Sequence, residues 1–330
     1  MQTFRFKRFN VVNERSAMKV NTDGVLLGAA MLLTPTDRRL LDIGTGTGTI
    51  ALMAAQRLAD LKGGDSAMEE ILRTALDDRV GVQDDRVGVQ DDTENDFDGG
   101  VGGGSLGEEL GRTLSREADC IREQQLLSEA STEASTEAST EASCGMHIDA
   151  IDIDEPSASE AKANFEQSPW AANLSAHNLS LDDFAAKLLT LKYEGQDIRY
   201  DLIFSNPPYF EDSLTALDER KSTARHTSDG LSYRDIFDFA KQYLTDNGRV
   251  ALVLPSDQEA AICRYARMSD MHLLRVLRIR TVPRKAPSRV VIEFSKQRVQ
   301  DVEDTILTIQ NEGQYTQEYL SLTKDFYLFA

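Results

Sequence analysis

The chain has 330 residues, 41% of them hydrophobic and 28% charged, enough to bury a full core in one large domain or two small ones. Its formal net charge is −19, which taken whole argues against nucleic acid as a partner, and no apolar run approaches the roughly 20 residues that span a bilayer. The opening MQTFRFKRFN lacks the apolar core of a signal peptide, so the chain reads as soluble and cytoplasmic.

The charge is unevenly placed. Residues 61–146 hold 21 acidic and seven basic side chains, which leaves only −5 for the other 244 residues. Residues 1–40 hold seven basic and three acidic side chains, and residues 272–298 hold eight and one. Two basic segments at opposite ends of the chain are expected to form one positive surface after folding. Cys120, Cys144 and Cys263 form no CxxC pair and are odd in number, so neither a disulfide framework nor a metal cluster is expected.

In chain order, Leu40–Ile43 reads as a short buried strand and Thr49–Leu61 as a helix with Ala, Leu and Met at helical spacing. Residues 62–146 then break the pattern. DDRVGVQ occurs twice in tandem from Asp77, a glycine-rich stretch runs from Gly99 to Gly107, and EAST repeats from Glu129. Short repeats, high charge and few aromatics offer little apolar area against chain entropy, so this insert is expected to be disordered or weakly helical. The remainder, residues 1–61 and 147–330, is expected to form a single domain.

After the insert, Ile148–Ile153 is a strand and Pro156–Phe165 a helix with Pro in its first turn. Leu174–Leu179 and Tyr200–Ser205 are strands. Tyr233–Leu244 reads as a helix stopped by Asp246-Asn247-Gly248, and Arg249–Pro255 as the next strand. Leu273–Arg280 and Arg289–Ser295 are too close to fit a helix between them and should pair antiparallel. Alternating strands and helices imply an α/β fold: a mostly parallel sheet with helices on both faces.

Two motifs carry the chemistry. Asp42-Ile43-Gly44-Thr45-Gly46-Thr47-Gly48 follows the first strand and opens a helix, where glycines let the backbone approach a ligand beside helix N–H groups. The dehydrogenase spacing G-x-G-x-x-G is absent, because Thr49 occupies its third position. The second strand ends Asp152-Ile153-Asp154, and a carboxylate there would accept hydrogen bonds from ribose hydroxyls. The second motif is Asn206-Pro207-Pro208-Tyr209 after a buried strand. An amine nitrogen conjugated to a ring is a poor nucleophile. Two rigid acceptors, the Asn206 side-chain oxygen and the Pro207 carbonyl, would hold it with a directed lone pair, while Pro208 stiffens the turn. Tyr209 and Phe210 offer ring faces for a base.

DIGTGTG resembles the first motif of class I methyltransferases, and NPPY resembles the motif of those that act on planar amine nitrogens. The resemblance implies a Rossmann-like fold, a seven-stranded, mostly parallel sheet with an antiparallel final strand, and S-adenosylmethionine as cofactor. Asp42, Gly44, Gly46 and Gly48 would hold its amino-acid end, Asp152 its ribose, with Asp154 as the fallback. Ser180 stands where that family offers an acidic residue to the adenine, with Asp182 or Asp183 as alternatives.

Further segments narrow the resemblance: Phe6-Lys7-Arg8-Phe9, Met18 to Gly28, Ala224-Arg225-His226 and Val253-Leu254-Pro255. Together these resemble the bacterial family that methylates N6 of adenine 37 in the anticodon loop of valine tRNA. By that resemblance Lys19, Thr22 and Asp23 lie over the cofactor and Arg225 and His226 line the substrate mouth. tRNA is the implied partner, no metal is needed, and Arg284, Lys285 and Arg289 are the basic side chains expected to meet it. Asn21 replaces the family's Gly, which a positive φ would make tolerable. Two other readings are a glutamine methyltransferase of the release-factor type, which carries a helical domain before its glycine motif, and a non-catalytic binding scaffold.

Overall fold

The computed structural model describes residues 2–16, 18–63, 145–208 and 231–328. They lie within one compact unit, Met1–Ile71 with Ser143–Ala330. Most of the acidic insert lies outside the described residues, as do Tyr209, Phe210, Arg225 and His226.

A short antiparallel hairpin, β1 (Thr3–Arg5) and β2 (Asn10–Val12), opens the chain. Helix α1 (Thr22–Ala30) follows, then β3 (Arg39–Ile43) and α2 (residues 49–63). Beyond the insert come β4 (His147–Asp152), α3 (Glu155–Glu166), β5 (Leu174–Asn178), α4 (Leu181–Tyr193) and β6 (Tyr200–Ser205). Then α5 (Tyr233–Tyr243), β7 (Leu244–Pro255), α6 (Glu259–Met268), β8 (His272–Arg280) and β9 (Arg289–Ser295). The chain closes with β10 (Glu303–Thr308), a small hairpin of β11 (Gln310–Asn311) and β12 (Gln314–Tyr315), and α7 (Gln317–Thr323).

The main sheet runs β10-β8-β9-β7-β6-β3-β4-β5. All neighbours are parallel except β9, which is antiparallel to both β7 and β8. An eighth strand, β10, joins the seven expected from the sequence, on the outer edge of β8. The central strands are apolar on both faces, as a doubly covered sheet requires. Leu40, Ile148, Leu202, Phe204 and Ala251 pack with α1, α2 and α7 on one face, whereas Leu41, Ile151, Ile203 and Leu252 pack with α4, α5 and α6 on the other. Chain order reverses around β3, between β4 and β6, so the crevice at its carboxyl end is where this class of sheet binds ligands.

Two local expectations are corrected. The sequence predicts a helix over Tyr233–Leu244 stopped by Asp246-Asn247-Gly248, but the helix passes directly into β7 at Leu244 (φ −81°, ψ 140°). Pairing with β6 jumps from Tyr200↔Leu244 to Leu202↔Arg249, so residues 245–248 bulge out of the ladder instead of capping a helix. Asn21 has φ −136°, not a positive value. It fits because its side-chain oxygen accepts from the Gly24 N–H at 2.8 Å, an N-cap for α1. That helix escapes a periodicity reading because residues 24–30 are all buried, so no polar face marks its turn.

Candidate active site

The glycine loop joins β3 to α2. Gly44, Gly46 and Gly48 all adopt positive φ, at 72°, 56° and 79°. A Cβ on Gly46 would lie 3.2 Å from Met18 Cβ, and one on Gly48 would lie 2.5 Å from the Phe165 ring. Gly46 therefore keeps a cradle open, and Gly48 lets the loop seat against α3. Backbone bonds fix the turn: Gly44 and Thr45 N–H both donate to Ile151 O, and Gly48 N–H donates to Thr45 O.

Acidic side chains sit beneath and beside the loop. Asp42 is fully buried, accepts from the Thr45 hydroxyl at 2.7 Å, and has one oxygen, Oδ1, without a hydrogen-bond partner. Burial pushes its carboxyl up to about 7; the Thr45 bond opposes this and the nearby Asp152 charge adds to it. Asp152 accepts from Gly46 N–H at 2.8 Å and from Asp154 N–H at 2.9 Å, and burial raises its pKa too. Each carboxylate oxygen retains a lone pair for a ribose hydroxyl. Asp154, the fallback, is instead the N-cap of α3, accepting from the Ser157 N–H and hydroxyl.

A solvent-open pocket lies between the glycine loop and the segment before α1. Its walls are Gly44, Thr45, Gly46, Thr47, Thr49 and Ile50 on one side and Met18, Lys19, Val20, Asn21 and Gly24 on the other, with Asn206 between them. Asn206 is placed by β6. The Ser205 hydroxyl donates to Ile43 O at 2.6 Å, tying the end of β6 to the residue before Gly44. Asn206 and Pro207 are buried and Pro208 is exposed. The left-handed glycine cradle and the strand-end carboxylate of Asp152 fit S-adenosylmethionine.

The remaining expected residues divide. Lys19 lines the pocket, and its Nζ donates to Glu14 O. Thr22 and Asp23 open α1 outside the pocket lining, and Asp23 pairs with Arg289 at 2.8 Å. Ser180 is the N-cap of α4: it accepts from Asp183 N–H and donates to the Asp183 carboxylate, and Asp182 and Asp183 are both exposed beside it.

The single positive surface expected of the basic segments is reduced by internal pairing. Arg275 pairs with Glu293 and Glu303, and Arg278 with Glu259 and Asp304. Arg284 and Lys285 stay exposed in the β8–β9 turn. Because β8 runs parallel to β7 through the intervening antiparallel β9, that turn leaves the same sheet edge as Asn206.

Two buried polar side chains behind the pocket are not singled out by the sequence. Glu160 and Asn164 on α3 are buried and bind the backbone of residues 12–16. The available signal was a polar stripe, Ser157, Glu160 and Asn164, at the same helical spacing as the apolar stripe Ala158, Ala161 and Phe165.

Fold and site together define a class I S-adenosylmethionine-dependent methyltransferase. No family model matches the chain. It is 30% identical over 326 residues to the tRNA1(Val) (adenine(37)-N6)-methyltransferase of Parabacteroides distasonis, covering 98% of this chain and 97% of that one. The proteins of the same name from Trichodesmium erythraeum and Yersinia pseudotuberculosis are each 28% identical, covering 98% of this chain and 97% and 92% of theirs. A solved structure described as a predicted O-methyltransferase from Agrobacterium tumefaciens matches the fold with a TM-score of 0.50 at 12% identity, covering 92% of this chain and 96% of that one. The chain belongs to the tRNA1(Val) (adenine(37)-N6)-methyltransferase family.

Proposed function

We propose that the chain transfers a methyl group from S-adenosylmethionine to the N6 amino group of an adenine in tRNA, adenine 37 of the valine tRNA anticodon loop. The observation that carries this is Asn206 at the wall of the cofactor pocket, fixed to the glycine loop through Ser205 and Ile43. S-adenosylmethionine supplies an electrophilic methyl group on a sulfonium. The Asn206 side-chain oxygen and Pro207 carbonyl accept from the two amino hydrogens of the target and orient its lone pair, so the chain contributes positioning. Tyr209 and Phe210 stack the base once it has left its own stack, which is cheap in a single-stranded loop. Arg225 and His226 contact the substrate in this reading, and Arg284 and Lys285 meet phosphates from the sheet edge that carries Asn206.

Among the described residues no helix is long and apolar enough to cross a membrane. The working compartment in this reading is the cytoplasm, and residues 1–61 with 147–330 act as one domain into which 62–146 is inserted. The test is incubation with S-adenosylmethionine and tRNA from a strain lacking the gene, followed by mass mapping of nucleosides. N6-methyladenosine at position 37 of valine tRNA is expected; methylation of protein glutamine alone would overturn the reading.

A further inference from the structure

The two walls of the cofactor pocket are joined by residues outside it. Glu160, 1% exposed in the middle of α3, accepts three backbone N–H groups: Glu14 at 2.8 Å and Arg15 at 2.9 Å on Oε1, and Ser16 at 2.9 Å on Oε2. Burial opposes its charge, but these three donors hold its carboxyl below the usual range. One helical turn on, the Asn164 side chain accepts from Val12 N–H at 2.8 Å and donates to Val12 O at 3.0 Å. The same amide also donates to Thr47 O at 2.9 Å, inside the glycine loop. From Ser16 the connection continues to the pocket, because its hydroxyl donates to Met18 O at 3.0 Å.

We infer that Glu160, seconded by Asn164, is a positioning residue for cofactor binding: it suspends residues 12–16 from α3 so that Met18–Asn21 stand as the second wall of the pocket. The physical reason is a count of donors. Outside the short β1–β2 hairpin this segment has no ladder to satisfy its N–H groups, and the carboxylate gathers three of them at one point. Without it, residues 14–16 are released and the wall across from Gly46 loses its fixed distance. α3 begins just after Asp152, so one helix sets both the expected ribose carboxylate and the opposite wall. This inference rests on the S-adenosylmethionine reading of the pocket, not on Asn206.

The test measures S-adenosylhomocysteine binding by calorimetry, steady-state kinetics, and amide hydrogen exchange of the cofactor-free protein. Glu160→Ala is expected to weaken S-adenosylhomocysteine about tenfold or more and to raise KM for S-adenosylmethionine in parallel, with kcat at saturation within about threefold. Exchange at residues 14–16 should accelerate. Glu160→Gln should fall between, since one oxygen still serves Glu14 and Arg15 while an NH2 faces Ser16. Phe237→Leu, in the core on the other face, should lower thermal stability while leaving S-adenosylhomocysteine affinity unchanged. Wild-type affinity in both Glu160 variants would overturn the inference, as would an equal loss in Phe237→Leu. A wild-type protein that does not bind S-adenosylhomocysteine would overturn the reading of the pocket itself.

Discussion

The glycine loop and the segment running into α1 face each other across one pocket, but their shapes come from different sources. The loop takes its shape from its own residues, positive φ at three glycines and a Thr45 hydroxyl on Asp42 three positions back, and then docks by donating its Gly44 and Thr45 N–H groups to Ile151 O and its Gly46 N–H to Asp152. The facing segment is held from a distance. Its clamp, Glu160, lies 146 positions beyond Glu14 in the chain. Local conformational preference thus shapes one wall, whereas long-range polar satisfaction alone shapes the other.

Asn206→Ala should have the largest effect and tests whether either wall suffices for chemistry. Methyl transfer is expected to fall at least about a hundredfold, because the lost acceptor acts on the reacting geometry, while S-adenosylhomocysteine affinity stays within about twofold. Turnover near wild type would remove Asn206 from the mechanism.

Gly48→Ala strikes the locally built wall. Its φ of 79° and the Phe165 ring at 2.5 Å from a Cβ should together cost about 2–4 kcal/mol of stability, read by denaturant unfolding. A cost within about 0.5 kcal/mol would mean that the loop tolerates a side chain there.

Charge reversal at Arg284 and Lys285 should weaken tRNA binding about tenfold and flatten its salt dependence, without changing affinity for S-adenosylhomocysteine. Arg289→Glu differs, because it also breaks the pair with Asp23 on α1 and should disturb the pocket side as well. Equal tRNA binding by the Arg284→Glu/Lys285→Glu variant would place the RNA on another face.

The buried Asp42 gives the loop a pH dependence. Its carboxyl titrates near 7 when folded against an ordinary 3.8, so the folded state holds a proton that the unfolded chain releases. The associated stability is fully present below about 3.8 and is lost as pH rises through about 7. Unfolding temperature of the cofactor-free protein should therefore drop between about pH 5.5 and pH 8, and Asp42→Asn should reduce that slope. Glu293 and Asp152, both raised by burial, keep part of it. An unchanged slope in Asp42→Asn would assign the titration elsewhere.

The smallest effect is expected from replacing Gly63–Gly145 with a short Gly/Ser linker. Lys62 Nζ already reaches Gly145 O at 3.4 Å, and both lie near the amino end of β4, across the sheet from Asn206. Transfer rate and cofactor affinity should stay within about twofold, with tRNA affinity unchanged or higher as 21 acidic and six basic side chains leave. Loss of activity in a variant that unfolds normally would tie the insert to catalysis.

Several parts of the molecule were legible in the sequence for stated reasons. Tyr200–Ser205 and Arg289–Ser295 emerge as strands at their expected bounds, because short apolar runs, Leu202–Phe204 and Val290–Ile292, mark strands buried on both faces. Asn206 stands out in the sequence because a rigid turn after such a strand has few structural uses, and it lies on the pocket wall. Other features were not. Basic residues in 272–298 read as an RNA surface, yet Arg275 donates to Ala30 O at the end of α1 and pairs with Glu303 on the edge strand β10. A cation at a helix end and one facing solvent are identical in sequence.

By itself the sequence determined the order of these groups along the chain: a glycine turn after β3, an acid at the end of β4, an amide acceptor after β6. These depend on backbone preferences and on residue types within a few positions of one another. Only the tertiary structure decided which polar groups remain for ligands. It committed Asp154 and Ser180 to helix caps, Arg289 to Asp23, and Glu160 to three N–H groups of a segment far away in the chain. A buried donor or acceptor must find a partner wherever folding brings one, and that choice is made in space.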